Sequence, residues 1–119
     1  MLRTLFLIAA GGAAGSVCRY ILSSYIKVLY FPGTLVVNIL GCFLIGLLAG
    51  LDARFNLNTN LRMLLVVGFC GGFTTFSSFS IENMELINNQ KYFTAFAYIS
   101  LSVILGLAAV LIGIKITSR

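Results

Sequence analysis

Residues 68–80 read Gly68-Phe69-Cys70-Gly71-Gly72-Phe73-Thr74-Thr75-Phe76-Ser77-Ser78-Phe79-Ser80, an apolar and aromatic stretch studded with glycine, threonine and serine. Glycine orders its backbone at high entropic cost, and serine and threonine hydroxyls compete for backbone groups, so this is poor material for an uninterrupted helix. Paired glycine followed by paired threonine predicts a break near the middle of an otherwise hydrophobic helix. In hydrocarbon such a break must be buried in protein or line a cavity, because its freed N–H and C=O groups need partners. Freed carbonyls can coordinate a cation, as they do in discontinuous membrane helices. Beyond the break, Phe76 and Phe79 are three apart and share one helical face. Aromatic pairs at that spacing commonly pack a core, yet Ser77, Ser78 and Ser80 flank this one. Ring edges carry partial positive charge, so two rings turned edge-on could hold a small, hard anion. Hydroxyl and amide donors nearby would supply the rest of its lost hydration.

The rest of the chain sets this stretch in a membrane. Of its 119 residues, 60% are hydrophobic and only 9% charged, against about 25% charged in soluble domains. Four apolar runs, about Thr4–Ser24, Gly33–Leu51, Leu61–Ser80 and Phe93–Ile114, approach the roughly 17–25 residues that cross a bilayer. They use almost the whole length, which predicts a single all-α membrane domain of four transmembrane helices over residues 1–119, with brief loops and the third helix broken near mid-membrane. The start, Met1-Leu2-Arg3 and an apolar Ala-Gly stretch, has some signal-peptide character, but the apolar run continues through Ile26 and reads as a span. Tyr25–Pro32, Asp52–Asn60 and the polar stretch Ile81–Lys91 are the expected connections.

Enzymatic chemistry is excluded by what is missing. Histidine is absent and the acids are only Asp52, Glu82 and Glu85, which read as loop or span-end residues, so no acid–base or nucleophile constellation can be assembled within the spans. Cys18, Cys42 and Cys70 have no metal-site or redox spacing and read as small apolar residues. Glycines four apart, such as Gly11–Gly15, Gly46–Gly50 and Gly68–Gly72, allow close helix approach. A bundle with that much small-residue surface also suits a partner subunit.

Few polar side chains lie inside the spans, and each is costly there. Arg19 reads either as an interfacial anchor or as a cation lining a water-filled vestibule. Asn38 reads either as interhelical glue or as an amide donor to a passage. Tyr98 and Ser102, four apart, share a face of the last span. Basic residues number five on the side of the termini (Arg3, Arg54, Arg62, Lys115, Arg119) against Arg19, Lys27 and Lys91 opposite. The bias weakly favours termini inside and leaves insertion in both orientations open.

Three motifs together resemble one family: Gly11-Gly12-x-x-Gly15-x-x-x-Arg19-Tyr20, Gly33-Thr34-Leu35-x-Val37-Asn38-x-x-Gly41, and Gly68-x-x-Gly71-Gly72-Phe73-Thr74-Thr75-Phe76-Ser77-Ser78-Phe79-Ser80-x-Glu82. Over essentially its whole length the chain is similar to the CrcB/Fluc fluoride channels. The resemblance implies a passive fluoride channel of the bacterial inner membrane that expels the ion after weak-acid entry. It implies an antiparallel, dual-topology homodimer with two pores and a central structural sodium ion, although some relatives work as unlike pairs. Carried over by position, Phe76 and Phe79 contact fluoride with their ring edges and Asn38 is the pore amide. Ser78, Tyr98 and Ser102 belong to the fluoride path, and Arg19 to the vestibule. Gly71 and Thr74 give backbone carbonyls to Na+. One departure is Gly106, where the polar line of the last span usually carries another hydroxyl. A proton-coupled multidrug-type transporter subunit is the second reading and would require a membrane-embedded carboxylate. A non-conducting assembly subunit is the third.

Overall fold

The computed structural model describes residues 1–26 and 31–118. Four helical spans are long and apolar enough to cross a membrane: Leu2–Tyr25 (α1), Gly33–Phe55 (α2), a composite span Thr59–Asn88, and a last helix Tyr92–Thr117. All four expected spans are therefore present, each extending by one to several residues beyond its apolar run. Lys27 and Arg119, counted in the charge bias, lie outside the described residues.

The third span is built in pieces. A short turn, Thr59–Leu61 (α3), is opened by Asn58, whose side chain accepts a hydrogen bond from the Leu61 N–H at 2.9 Å. A nine-residue π-helical stretch follows, Arg62–Cys70, then one α-turn, Gly71–Phe73 (α4). Two extended residues interrupt the helix, Thr74 (φ −83°, ψ 156°) and Thr75 (φ −150°, ψ 122°). The helix resumes as Phe76–Asn88 (α5), and Tyr92–Thr117 is α6. The break thus falls within the predicted stretch but is narrower, since the glycine pair stays helical and the threonines carry the bend. Threonine hydroxyls explain this. Thr75 Oγ1 accepts from the Ser78 N–H at 3.3 Å and caps α5, while Thr74 Oγ1 donates back to the Cys70 carbonyl at 2.9 Å.

One expectation fails at the end of this span. Ile81–Lys91 was expected as a polar connection, but α5 continues to Asn88 and the chain reverses only around Gln90, at φ 59°. The polar residues of this segment lie on a helix whose other side packs inward through Asn83.

Helix pairs come together through small residues. α2 runs along α6, and α1 along the π-helical stretch and α4. A Cβ at Gly11 would collide with the Leu64 carbonyl, and one at Gly15 with the Phe69 carbonyl. Lipid supplies no hydrophobic drive for helices to associate, so this backbone-to-backbone approach, with its dispersion contacts, holds the pair. The opposite pair is tied by Thr117, whose hydroxyl donates to the Leu47 carbonyl at 3.0 Å. Large apolar residues such as Phe6, Phe93, Phe96 and Leu107 are exposed on the outside, as lipid contact requires.

Candidate functional site

The break is held open by one side chain. Asn38, in the second turn of α2, donates from Nδ2 to the Thr75 carbonyl at 3.0 Å and accepts from the Thr75 N–H at Oδ1, 2.8 Å. An amide has two N–H donors, so one remains for another acceptor. Asn38 thus ties α2 to the broken span, as the glue reading expects, with one N–H left over.

The same bonds strip carbonyls of their helical partners. In a continuous helix the Thr75 N–H would bond the Gly71 carbonyl and the Ser78 N–H the Thr74 carbonyl. Here they go to Asn38 Oδ1 and Thr75 Oγ1 instead. Gly71 is exposed, and a Cβ built there meets nothing within 4 Å. Gly71 therefore sits on an open face of the subunit, and the Gly71 and Thr74 carbonyls, without their helical partners, are the kind of oxygen that suits a hard cation.

That face borders a groove of about 510 Å3 lined by Asn38, Cys42, Thr74, Phe76, Phe79 and Ser102, with Gly71 at its wall. Phe76 and Phe79 stand side by side, ring centroids 5.6 Å apart and planes at 40°. Phe76 is 78% exposed to the groove and the open face. Phe79 is held from behind by Tyr98, at 5.2 Å in an edge-to-face contact. Ser102 Oγ is buried and has no hydrogen-bond partner among the described residues.

Two expected path residues are turned elsewhere. Tyr98 is fully buried, and its hydroxyl donates to Glu82 Oε2 at 2.7 Å, so it supports Phe79 rather than lining the groove. Ser78 lines a separate cavity of about 200 Å3 together with Arg19, Tyr20, Ser23, Thr34 and Thr75. Arg19 Nε is buried there without a partner among the described residues. A guanidinium among hydroxyls is an anion-attracting pocket, so the vestibule reading of Arg19 has a site to stand on. Thr75 borders both spaces and is the wall between them.

Glu82 is the functional residue that sequence reasoning missed. It had been read as a loop or span-end acid; instead it sits in the second turn of α5. Its two oxygens accept from Thr34 at 2.6 Å and Tyr98 at 2.7 Å, which joins α2, α5 and α6. Its place one turn after Ser78 and Phe79 was the available signal. Among the described residues, no group of three or more His, Cys, Asp or Glu could hold a metal ion.

Fold and site together define a small multi-pass membrane protein whose broken third span sits between an aromatic-walled groove and an arginine-bearing cavity. The chain belongs to the CrcB-like family, whose model, described as "CrcB-like protein, Camphor Resistance (CrcB)", matches residues 6–114. It is similar to proteins named "Fluoride-specific ion channel FluC" from several bacteria. The one from Azobacteroides pseudotrichonymphae is 47% identical, over 98% of each chain. That from Phocaeicola vulgatus is 46% identical over 95% of this chain and 97% of its own. That from Flavobacterium psychrophilum is 44% identical over 99% of each. The family is one of membrane transport proteins rather than enzymes.

Proposed function

We propose that this chain is the subunit of a passive fluoride channel that works as an antiparallel homodimer with two pores. The observation that carries the proposal is the paired Phe76 and Phe79 beside Asn38 and Ser102 in one groove, in a chain whose relatives are named fluoride-specific channels. Fluoride is small and strongly hydrated, so a passage must replace its water without trapping it. Partial positive charge at ring edges and neutral N–H or O–H donors do this more gently than a fixed counter-charge. Arg19, in its hydroxyl-lined cavity across Thr75, raises the local anion concentration ahead of the narrow part.

The open face bearing Gly71 and Thr74 suits a second copy. Turned over by a twofold axis, that copy would bring two more carbonyls to the first pair, and a sodium ion among the four would satisfy oxygens otherwise stranded at depth. The exposed ring of Phe76 supports the same arrangement, since it would then reach toward the partner's groove. The role of the sodium ion would be structural.

Efflux from proteoliposomes, read with a fluoride electrode, tests the reading. Wild-type protein releases loaded fluoride while chloride is retained. Phe76→Ile stops the flux in a protein that still elutes as a dimer. Flux no faster than from empty liposomes refutes the channel.

A further inference from the structure

We infer that Cys42 is a conducting-path residue, its thiol serving as the hydrogen-bond donor that follows Asn38 and Ser102 along the groove. This rests on the channel reading and adds a specific ligand to it. Both groove walls change at the same level. On α6, one turn beyond Ser102, the next residue on that face is Gly106, which is buried and contributes no side chain. On α2, one turn beyond Asn38, stands Cys42, which lines the groove. The two positions meet: a Cβ built on Gly106 would lie 3.4 Å from Cys42 Sγ, the nearest atom to it. The sulfur thus fills the space that a side chain from α6 would enter, and it does so on the groove surface rather than in the core. Cys70 also borders the groove, but it is 2% exposed.

A second, independent observation points to a ligand here. Ser102, which lines this groove, has a buried Oγ without a partner among the described residues, so its O–H is available to something within the groove. An anion handed on from Phe79 and Asn38 would meet Ser102 from α6 and then the S–H of Cys42 from α2. The lining also includes the aliphatic Ile45, Val66, Val67 and Val103. A thiol is a weak donor, but it is the polar hydrogen that this chain offers where glycine removes one from the facing helix.

Fluoride efflux from proteoliposomes compares wild type, Cys42→Ala, Cys42→Ser and the double variant Cys42→Ala with Gly106→Ser, each eluting as wild type on size exclusion. Cys42→Ala is expected to slow flux about fivefold, the effect of one neutral hydrogen bond. Cys42→Ser should conduct at least as fast as wild type. The double variant should recover, because serine on α6 returns a hydroxyl to the space the sulfur vacated. A purely packing role would be met as well by alanine and would gain nothing from a serine across the groove. Unchanged flux in Cys42→Ala, loss in Cys42→Ser as deep as in Cys42→Ala, or no recovery in the double variant overturns the inference. Should Cys42→Ala not fold, Cys42→Ser against Cys42→Val decides: the hydroxyl should conduct as wild type and the donorless valine should slow flux, and equal flux in the two overturns the inference. A wild-type protein without fluoride flux fails the channel reading itself, whereas a conducting wild type with indifferent Cys42 variants fails this inference alone.

Discussion

Replacing Asn38 by alanine removes both bonds that hold Thr75 in its extended conformation. The Thr75 N–H, bonded at 2.8 Å to Asn38 Oδ1, then has no helical partner to fall back on, because Thr74 and Thr75 lie outside the α-region. The Thr75 C=O loses its 3.0 Å bond to Nδ2 but, at the N-cap of α5, still accepts the first bond of that helix. Leaving a buried polar group unsatisfied costs about 1–3 kcal/mol. Thr75 is only half-buried and faces two solvent-accessible spaces, which places the loss of the one stranded N–H at the lower end, about 1–2 kcal/mol. Reversible unfolding in mixed detergent micelles, followed by circular dichroism, measures this directly. Asn38→Asp provides the internal control. Its neutral acid can accept from the N–H and donate to the carbonyl, whereas its carboxylate faces the Thr75 carbonyl with no proton to give. The aspartate variant should therefore approach wild-type stability at low pH and lose it as the pH rises. A loss under about 1 kcal/mol for Asn38→Ala would mean that the break is held by helix packing and that the amide is incidental.

Other perturbations separate the remaining parts. Gly15→Ala drives a Cβ into the Phe69 carbonyl and should abolish the folded subunit on size exclusion, whereas Gly71→Ala, whose Cβ meets nothing nearby, should keep wild-type helicity. Glu82→Leu strands the Thr34 and Tyr98 hydroxyls and should cost about 2 kcal/mol or more of unfolding free energy; Glu82→Gln should cost less, because its amide oxygen still accepts one of them. Arg19→Gln should slow fluoride entry severalfold at low ionic strength, with the difference shrinking in high salt as screening takes over. Exchanging sodium for a large organic cation should destabilise the dimer on size exclusion without unfolding the subunit.

The spans were legible because bilayer thickness forces length and apolarity on each of them, and the aromatic pair because three-residue spacing fixes a common face. The break was legible in place but not in mechanism. Glycine was the obvious suspect, yet Gly71 and Gly72 stay helical because nothing there needs a positive φ, and the threonines bend because their hydroxyls offer the backbone an alternative. The π-helical stretch Arg62–Cys70 left no signature, since its composition would suit an α-helix equally. Glu82 was misjudged because a glutamate among asparagines looks solvated in one dimension. Only the fold brings Thr34 and Tyr98 to its two oxygens. The same holds for Tyr98, whose helical face was right but whose hydroxyl direction was set by that carboxylate.

A helix cut in two acquires two new ends. At the bend, the carboxyl end of the Thr59–Phe73 segment meets the amino end of α5, and each end carries roughly half an elementary charge, negative on the first and positive on the second. The two poles stand only two residues apart and open toward different surroundings. One bend in an uncharged stretch of chain therefore presents a cation-friendly pole on one side and an anion-friendly pole on the other, with no ionised side chain spent at either.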